Sequence, residues 1–140
     1  MYKHILVPTD GSDLSAKSSA AAIELAKSSG ARVTGFCVVV DTPVAAGIGK
    51  TLRDKDGAIQ TADEHLAVIT RQAREAGVPC ECYHIVAAWP HDEIVKMAET
   101  QGCDLIHMAS QGKGMIERFF LGSEATQVVK SSKVPVLVYR

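Results

Sequence analysis

Short β-rich runs alternate with segments of helical period along the whole chain. Ile5-Leu6-Val7 is a compact apolar run that ends at Pro8, and Asp10-Gly11-Ser12 brings turn and helix-start chemistry directly after it. Ala16 to Ser29 carries Ala16, Ala20, Ile23 and Ala26 at helical spacing and stops at Gly30. Val33 to Val40 is apolar with only small or weakly polar interruptions, which suits a strand covered on both faces. Asp41 to Asp56 loses periodicity around Pro43, Gly47 and Gly49, so a loop is expected there, beside the end of the second strand. Ile59 to Ala76 restores a helical stripe of Leu66, Ile69 and Ala73 and closes at Gly77-Val78-Pro79.

The second half repeats the alternation. Cys80 to Val86 reads as a third strand, Asp92 to Thr100 as a third helix with Ile94, Val95 and Ala98, and Leu105 to Met108 as a fourth strand. Glu124 to Lys130 reads as a fourth helix and Val134 to Val138 as a fifth strand. Strands separated by helices imply right-handed crossovers, hence an α/β fold with a five-stranded parallel sheet between two helical layers. Pattern alone leaves the strand orders 2-1-3-4-5 and 3-2-1-4-5 both open. In either, a ligand is expected beyond the carboxyl ends of the strands, where the winding reverses.

Composition adds limits. The chain has 140 residues, 46% of them hydrophobic and 22% charged, with a net charge of −1, so one domain with a core of its own is expected. That charge balance argues against a nucleic-acid partner. Met1-Tyr2-Lys3-His4 leads straight into a strand, with neither a signal-peptide pattern nor an apolar run of about 18 residues, so no membrane insertion and a cytoplasmic location are expected. Cys37, Cys80, Cys82 and Cys103 are scattered, which fits reduced thiols better than a disulfide scaffold. Cys80 and Cys82 would share one strand face, continued by His84, but C-x-C is not a common zinc spacing and small core residues are the simpler reading.

Candidate chemistry concentrates in Asp104–Ser123, D-L-I-H-M-A-S-Q-G-K-G-M-I-E-R-F-F-L-G-S. A strand runs into a Gly-bearing loop with Gly112 and Gly114. After a basic, aromatic span, Gly122-Ser123 stands directly before a helix. Strand, glycine loop and helix N-terminus together make an anion site, because backbone N–H groups can turn toward a phosphate. Ser123 can both cap the helix and lend its N–H. Lys113 and Arg118 would add charge, whereas Glu124 favours the helix dipole but repels phosphate if it faces the pocket. Asp10 in D-G-S serves equally as a turn residue or as a carboxylate for hydroxyls or Mg2+, and Ser12 reads as an N-cap.

Other motifs lead nowhere. Gly49-Lys50-Thr51 resembles the end of a Walker A loop, but Val44 stands where its first Gly belongs. Ser110-Gln111-Gly112 resembles half a nucleophile elbow, yet Met108 replaces the preceding Gly and no His follows His107. His107 reads as a hydrogen-bonded core histidine, and Trp89 before Pro90 as a packing residue at a helix start.

Nine residues lie between Gly112 and Gly122. This resembles the G-x-x-G-x9-G-S/T signature of the nucleotide-binding branch of the universal stress protein family, with Ala109 at its first Gly. Y-K-H-I-L-V-P-T-D-G-S at the start, the D-L-I-H-M segment and the closing K-V-P-V-L-V-Y-R extend the resemblance over residues 1–140 as a single domain. The family resemblance implies a Rossmann-like sheet of order 3-2-1-4-5, of the adenine nucleotide alpha hydrolase type, that binds ATP, with AMP or ADP as alternatives and Mg2+ as companion ion. It places the nucleotide against Pro8, Thr9, Asp10, Val39, Val40, Met108, Ala109, Ser110, Gly112, Lys113, Gly122, Ser123 and Glu124, with Asp10 toward the metal or ribose. It further implies a stress-response regulatory or signalling module, at most a slow ATP hydrolase, that forms a homodimer through Val134, Val136 and Val138 and acts on an unidentified protein partner. The alternative is a dimeric interaction module of the same fold that binds no nucleotide.

Overall fold

The structure, a computed structural model, describes residues 1–42, 54–111 and 121–140. Its elements follow in the order β1 (His4–Pro8), α1 (Asp13–Ser29), β2 (Arg32–Val40), α2 (Lys55–Ala76), β3 (Cys80–Ala87), α3 (Pro90–Thr100), β4 (Leu105–Ala109), α4 (Ser123–Ser131) and β5 (Val136–Tyr139). All four strand pairings are parallel and the order is β3-β2-β1-β4-β5, which settles the choice the pattern left open.

Alternation along the strands divides the core in two. Ile5, Val7, Val33, Cys37, Val39 and Leu105 pack with Ala22, Ile23 and Ala26 of α1 and Leu66, Ile69 and Ala73 of α2. Their neighbours Leu6, Phe36, Ile106 and Met108 point the other way, onto Ile94 and Ala98 of α3 and Ala125 and Val128 of α4. Two helices therefore cover each face, as a buried parallel sheet demands. No described helix is long and apolar enough to cross a membrane.

Helix starts fall earlier than the apolar stripes suggested. Helix α1 begins at Asp13 because the Ser12 side chain accepts the Ser15 N–H, and α2 begins at Lys55 because Asp54 does the same for Gly57. Their first turns, Asp13 to Ala16 and Lys55 to Ala58, hold too few apolar residues to show a hydrophobic period. Helix α3 starts at Pro90, two residues before Asp92. Strand β5 also differs, running Val136–Tyr139 rather than from Val134. The Ser132 hydroxyl accepts the Val134 N–H at 3.1 Å and donates to the Val134 carbonyl at 2.7 Å, which holds Val134 in a turn.

Two polar devices lock the strands. The Asp104 carboxylate accepts the N–H groups of Lys3 and His4 at 2.9 and 3.0 Å, joining the starts of β1 and β4. Burial opposes its ionisation, but these backbone donors outweigh that and hold the carboxyl below its usual value. Within the core, His4 Nε2 meets Thr34 Oγ1 of the neighbouring strand at 2.6 Å and His107 Nδ1 meets Ser18 Oγ of α1 at 3.1 Å. His107 is thus the hydrogen-bonded core histidine expected from its strand.

Burial lowers the pKa of both rings from 6.5, and for His4 the Arg32 charge adds to the effect. The neutral forms are favoured in the fold, so their stabilising contribution is complete above pH 6.5 and declines as the pH falls toward each folded value. Urea unfolding at pH 7.5 and 5.5 should show lower stability at the acid value. His107→Gln should flatten the slope by at most about 1.4 kcal/mol per pH unit. An unchanged slope in this variant would remove His107 from the account.

Candidate functional site

Strand β1 lies between β2 and β4, but its two ladders differ in length. Against β2 it pairs through all five residues, from His4↔Arg32 to Pro8↔Phe36. Against β4 the pairing consists of Ile5↔Leu105 and Leu6↔Ile106, although both strands run on, to Pro8 and Ala109. The strands part at their carboxyl ends. The chain leaves β1 for α1 on one face and β4 for α4 on the other, so the parting is the topological switch point at which such sheets take ligands.

The β1 side of this crevice is tightly organised. Pro8 is buried in the ladder, and the Thr9 N–H donates to the Phe36 carbonyl at 2.8 Å. The Thr9 hydroxyl accepts the Gly11 N–H at 3.1 Å. Asp10 Oδ1 accepts the Ser12 N–H at 2.9 Å and the Ser15 hydroxyl at 2.7 Å, so the carboxylate is anchored to the first turn of α1. Gly11 has φ of +80°, and the His65 ring of α2 occupies the space a Cβ there would need. His65 thus belongs to the wall of this turn. Sequence reading missed it because nothing in its helical pattern reveals the loop it covers.

Across the crevice, the Ser110 N–H donates to the Tyr139 carbonyl and the Ser110 carbonyl accepts the Gly122 N–H, both at 2.7 Å. This pair pins the start of α4 to the end of β4. Gly122 rather than Ser123 is the N-cap, and no side chain caps the helix; Ser123 is its first residue. The first helical bond runs from the Thr126 N–H to the Gly122 carbonyl at 2.9 Å, so the N–H groups of residues 123–125 have no acceptor within the helix. Gly122 has φ of −61°, open to any residue, so backbone conformation does not explain a glycine there. Ala109 has no left-handed φ either, and its methyl is accommodated in the strand without strain.

The remaining predicted residues fall into three groups. Met108 and Val39 send their side chains into the two cores, which leaves only backbone for a ligand. Val40 ends β2 beside Ala87 and is half-buried. Gly112 and Lys113 lie outside the described residues, as does most of the loop expected between Asp41 and Asp56. Among the described residues, no group of three or more His, Cys, Asp or Glu side chains is arranged to hold a metal ion. His84, on the face of Cys80 and Cys82, instead meets Asp63 at 2.7 Å.

Glu124 does not turn its carboxylate toward the β1 loop. Oε2 accepts the His91 N–H at 2.7 Å and meets His91 Nδ1 at 2.9 Å. The N-cap of α3 is Trp89, which provides no side-chain bond, so Glu124 satisfies that helix start from a neighbouring helix. Trp89 itself was expected to pack, yet it is 47% exposed, with its ring centroid 6.5 Å from that of His91. Its place immediately outside α3 carries it past the edge of the core.

The family model described as the universal stress protein family matches residues 1–140. The chain belongs to that family. It is 36% identical to the universal stress protein MJ0531 of Methanocaldococcus jannaschii over an alignment covering 100% of this chain and 83% of that one. It is 31% identical to MJ0577 of the same organism, covering 100% and 96%. Among solved structures, the universal stress protein of Archaeoglobus fulgidus in complex with dAMP superposes with a TM-score of 0.77 at 26% identity, covering 99% of this chain and 98% of that one. A universal stress protein in complex with cAMP gives a TM-score of 0.72 at 27% identity, covering 99% and 97%.

In this universal stress protein the Glu124 contact is a stability device. Glu124→Gln should reduce unfolding free energy by about 0.3–1 kcal/mol through the weakened start of α3. An unchanged urea midpoint would remove that role.

Proposed function

We propose that this universal stress protein is a stress-response regulatory or signalling module that binds an adenine nucleotide, ATP foremost, in the crevice between β1 and β4. The observation that carries this reading is the uncapped start of α4 at Gly122-Ser123, held at the switch point by the bond between Gly122 and Ser110. Three N–H groups there have no helical acceptor, and a glycine that φ does not require leaves room for a phosphate. The relatives whose structures contain dAMP and cAMP support the same ligand class.

The residues of this chain take distinct parts in that reading. Backbone groups of Ser123 and Glu124 receive the phosphate, Gly112 and Lys113 follow it from the motif loop, and Val39 and Val40 lie toward the base. Asp10 serves the ribose or a Mg2+ ion shared with phosphate oxygens. A single carboxylate suffices for Mg2+ when phosphates complete its shell. The protein acts by occupancy rather than turnover, in the cytoplasm and through a protein partner.

Mass spectrometry of small molecules released from the purified chain should find ATP or AMP, and calorimetry should show binding of added ATP. Gly122→Val, with folding checked by circular dichroism, should weaken that binding at least about tenfold, a change of about 1.4 kcal/mol. Asp10→Ala should weaken it chiefly when Mg2+ is present if the carboxylate serves the metal. An empty wild-type protein that also ignores added nucleotide would favour the dimeric interaction module instead.

Homodimerisation through β5 belongs to the same proposal. This strand is an edge of the sheet, and an apolar edge invites pairing with another chain. Val134 and Val136 pack onto the α3 and α4 core, so Leu137, 37% exposed on the opposite face, and the strand backbone offer more to a second copy. Pro135 has no N–H to contribute. Light scattering should give a dimer mass for the wild type and a monomer for Leu137→Glu. A dimer mass in that folded variant would place the interface elsewhere.

A further inference from the structure

At the opposite edge of the sheet, the C-x-C sequence of β3 builds a site that the nucleotide reading does not use. Cys80 and Cys82 point toward α2 with their sulfurs 3.8 Å apart. Both are half-buried, whereas Cys37 and Cys103 are buried. Cys82 lines an open groove of about 400 Å3 together with Asp63, Thr70, Arg71 and Arg74. Its sulfur lies 3.4 Å from Thr70 Oγ1 and 3.8 Å from the Leu66 carbonyl. Gly35, its partner on β2, makes the seat, since a Cβ there would come within 2.6 Å of the Cys82 sulfur.

The two thiols are unequal. The contact between the two sulfurs, with help from Thr70, lowers the Cys82 pKa against the opposing effect of burial. The same contact, together with burial, pushes Cys80 upward. The pair therefore favours one thiolate beside one protonated thiol, with Cys82 opening onto the groove that Asp63, Arg71 and Arg74 also line. A low-pKa, accessible cysteine next to a second thiol is the arrangement of a redox-sensing pair. Burial raises Cys103 to about 11, so it does not compete.

We propose that Cys82 and Cys80 form a reversible dithiol switch in which Cys82 reacts with a hydroperoxide and Cys80 resolves the product. The Cys82 sulfur attacks the terminal peroxide oxygen; an S–O bond forms, the O–O bond breaks, and the alcohol or water leaves with a proton from solvent. The Cys80 sulfur then attacks the Cys82 sulfur, so that an S–S bond forms and the sulfenic oxygen departs as water with the Cys80 proton. Overall, two thiols and one hydroperoxide give a disulfide, an alcohol or water, and one further water. Alternate residues on a strand have Cα atoms about 6.6 Å apart, at the upper end of the bridgeable range. The bridge is accordingly of the readily reduced kind, and the edge position of β3 lets the strand bend to close it.

The test uses the full-length chain, stoichiometric hydrogen peroxide, alkylation of remaining thiols and peptide mass spectrometry. Trypsin places Cys80 and Cys82 on one peptide, with Cys37 and Cys103 on two others. The expected result is loss of two hydrogens from the Cys80–Cys82 peptide, reversed by dithiothreitol, at least about tenfold faster than oxidation of Cys37 or Cys103. Cys80→Ser should leave Cys82 as a sulfenic acid that dimedone traps, and Cys82→Ser should abolish the fast phase. Equal oxidation of all four cysteines, a cross-link between two chains in place of the internal bridge, or a wild-type rate in Cys82→Ser would overturn the proposal. The peptide map of the wild type decides even if a variant fails to fold.

Discussion

All five residues of β1 are buried, with Ile5 and Val7 beneath α1 and α2 and Leu6 beneath α3 and α4, so helices have to lie on both faces of the central strand. Right-handed crossovers carry the chain along one helical layer only as it moves in one direction across the sheet. To cover the second face, the winding must restart on the other side of β1. That requirement produces the order β3-β2-β1-β4-β5 and places the reversal between β1 and β4. The crevice and the adjacency of the β1 turn to the start of α4 both follow from burying one strand twice.

The arrangement of strands and helices was legible because it rests on periodicity and on segments bounded by glycine and proline. What pattern could not see were contacts that depend on the third dimension. Glu124 and His91 are 33 residues apart, and nothing local in either segment shows that one helix supplies the missing cap of another. His65 reads as an ordinary helical residue until Gly11 is seen beneath it. Helix starts were misplaced for a different reason: Ser12 and Asp54 act through side-chain oxygens, and the turns they begin hold too few apolar residues to show a period. Trp89 was misjudged because hydrophobic size says nothing about whether a position lies inside the core boundary.

Glycine positions in the candidate site answer to different demands. Gly11 adopts a left-handed φ and lies against His65, so the turn after β1 would require glycine with or without a ligand. Gly122 has φ of −61°, and the argument from backbone strain does not apply to it. Its N–H is spent on the Ser110 carbonyl, and the helix that follows begins without a side-chain cap. Ala109 is the complementary case, a position where the family motif has glycine and this chain tolerates a methyl because the residue stays in extended conformation. A departure from a glycine motif is informative only once φ and the surrounding space are known.

Helix α2 connects the two sites of interest. It presents His65 to the turn that carries Asp10 and, within the next turn and a half, the Leu66 carbonyl and Thr70 hydroxyl to the Cys82 sulfur. Ile69 between them is fully buried, so this stretch of the helix is closely packed against the sheet. The space at Gly11 is already filled by the imidazole, which leaves that end little slack. One packed helix thus contributes a wall to the β1 turn and a seat for the Cys82 sulfur.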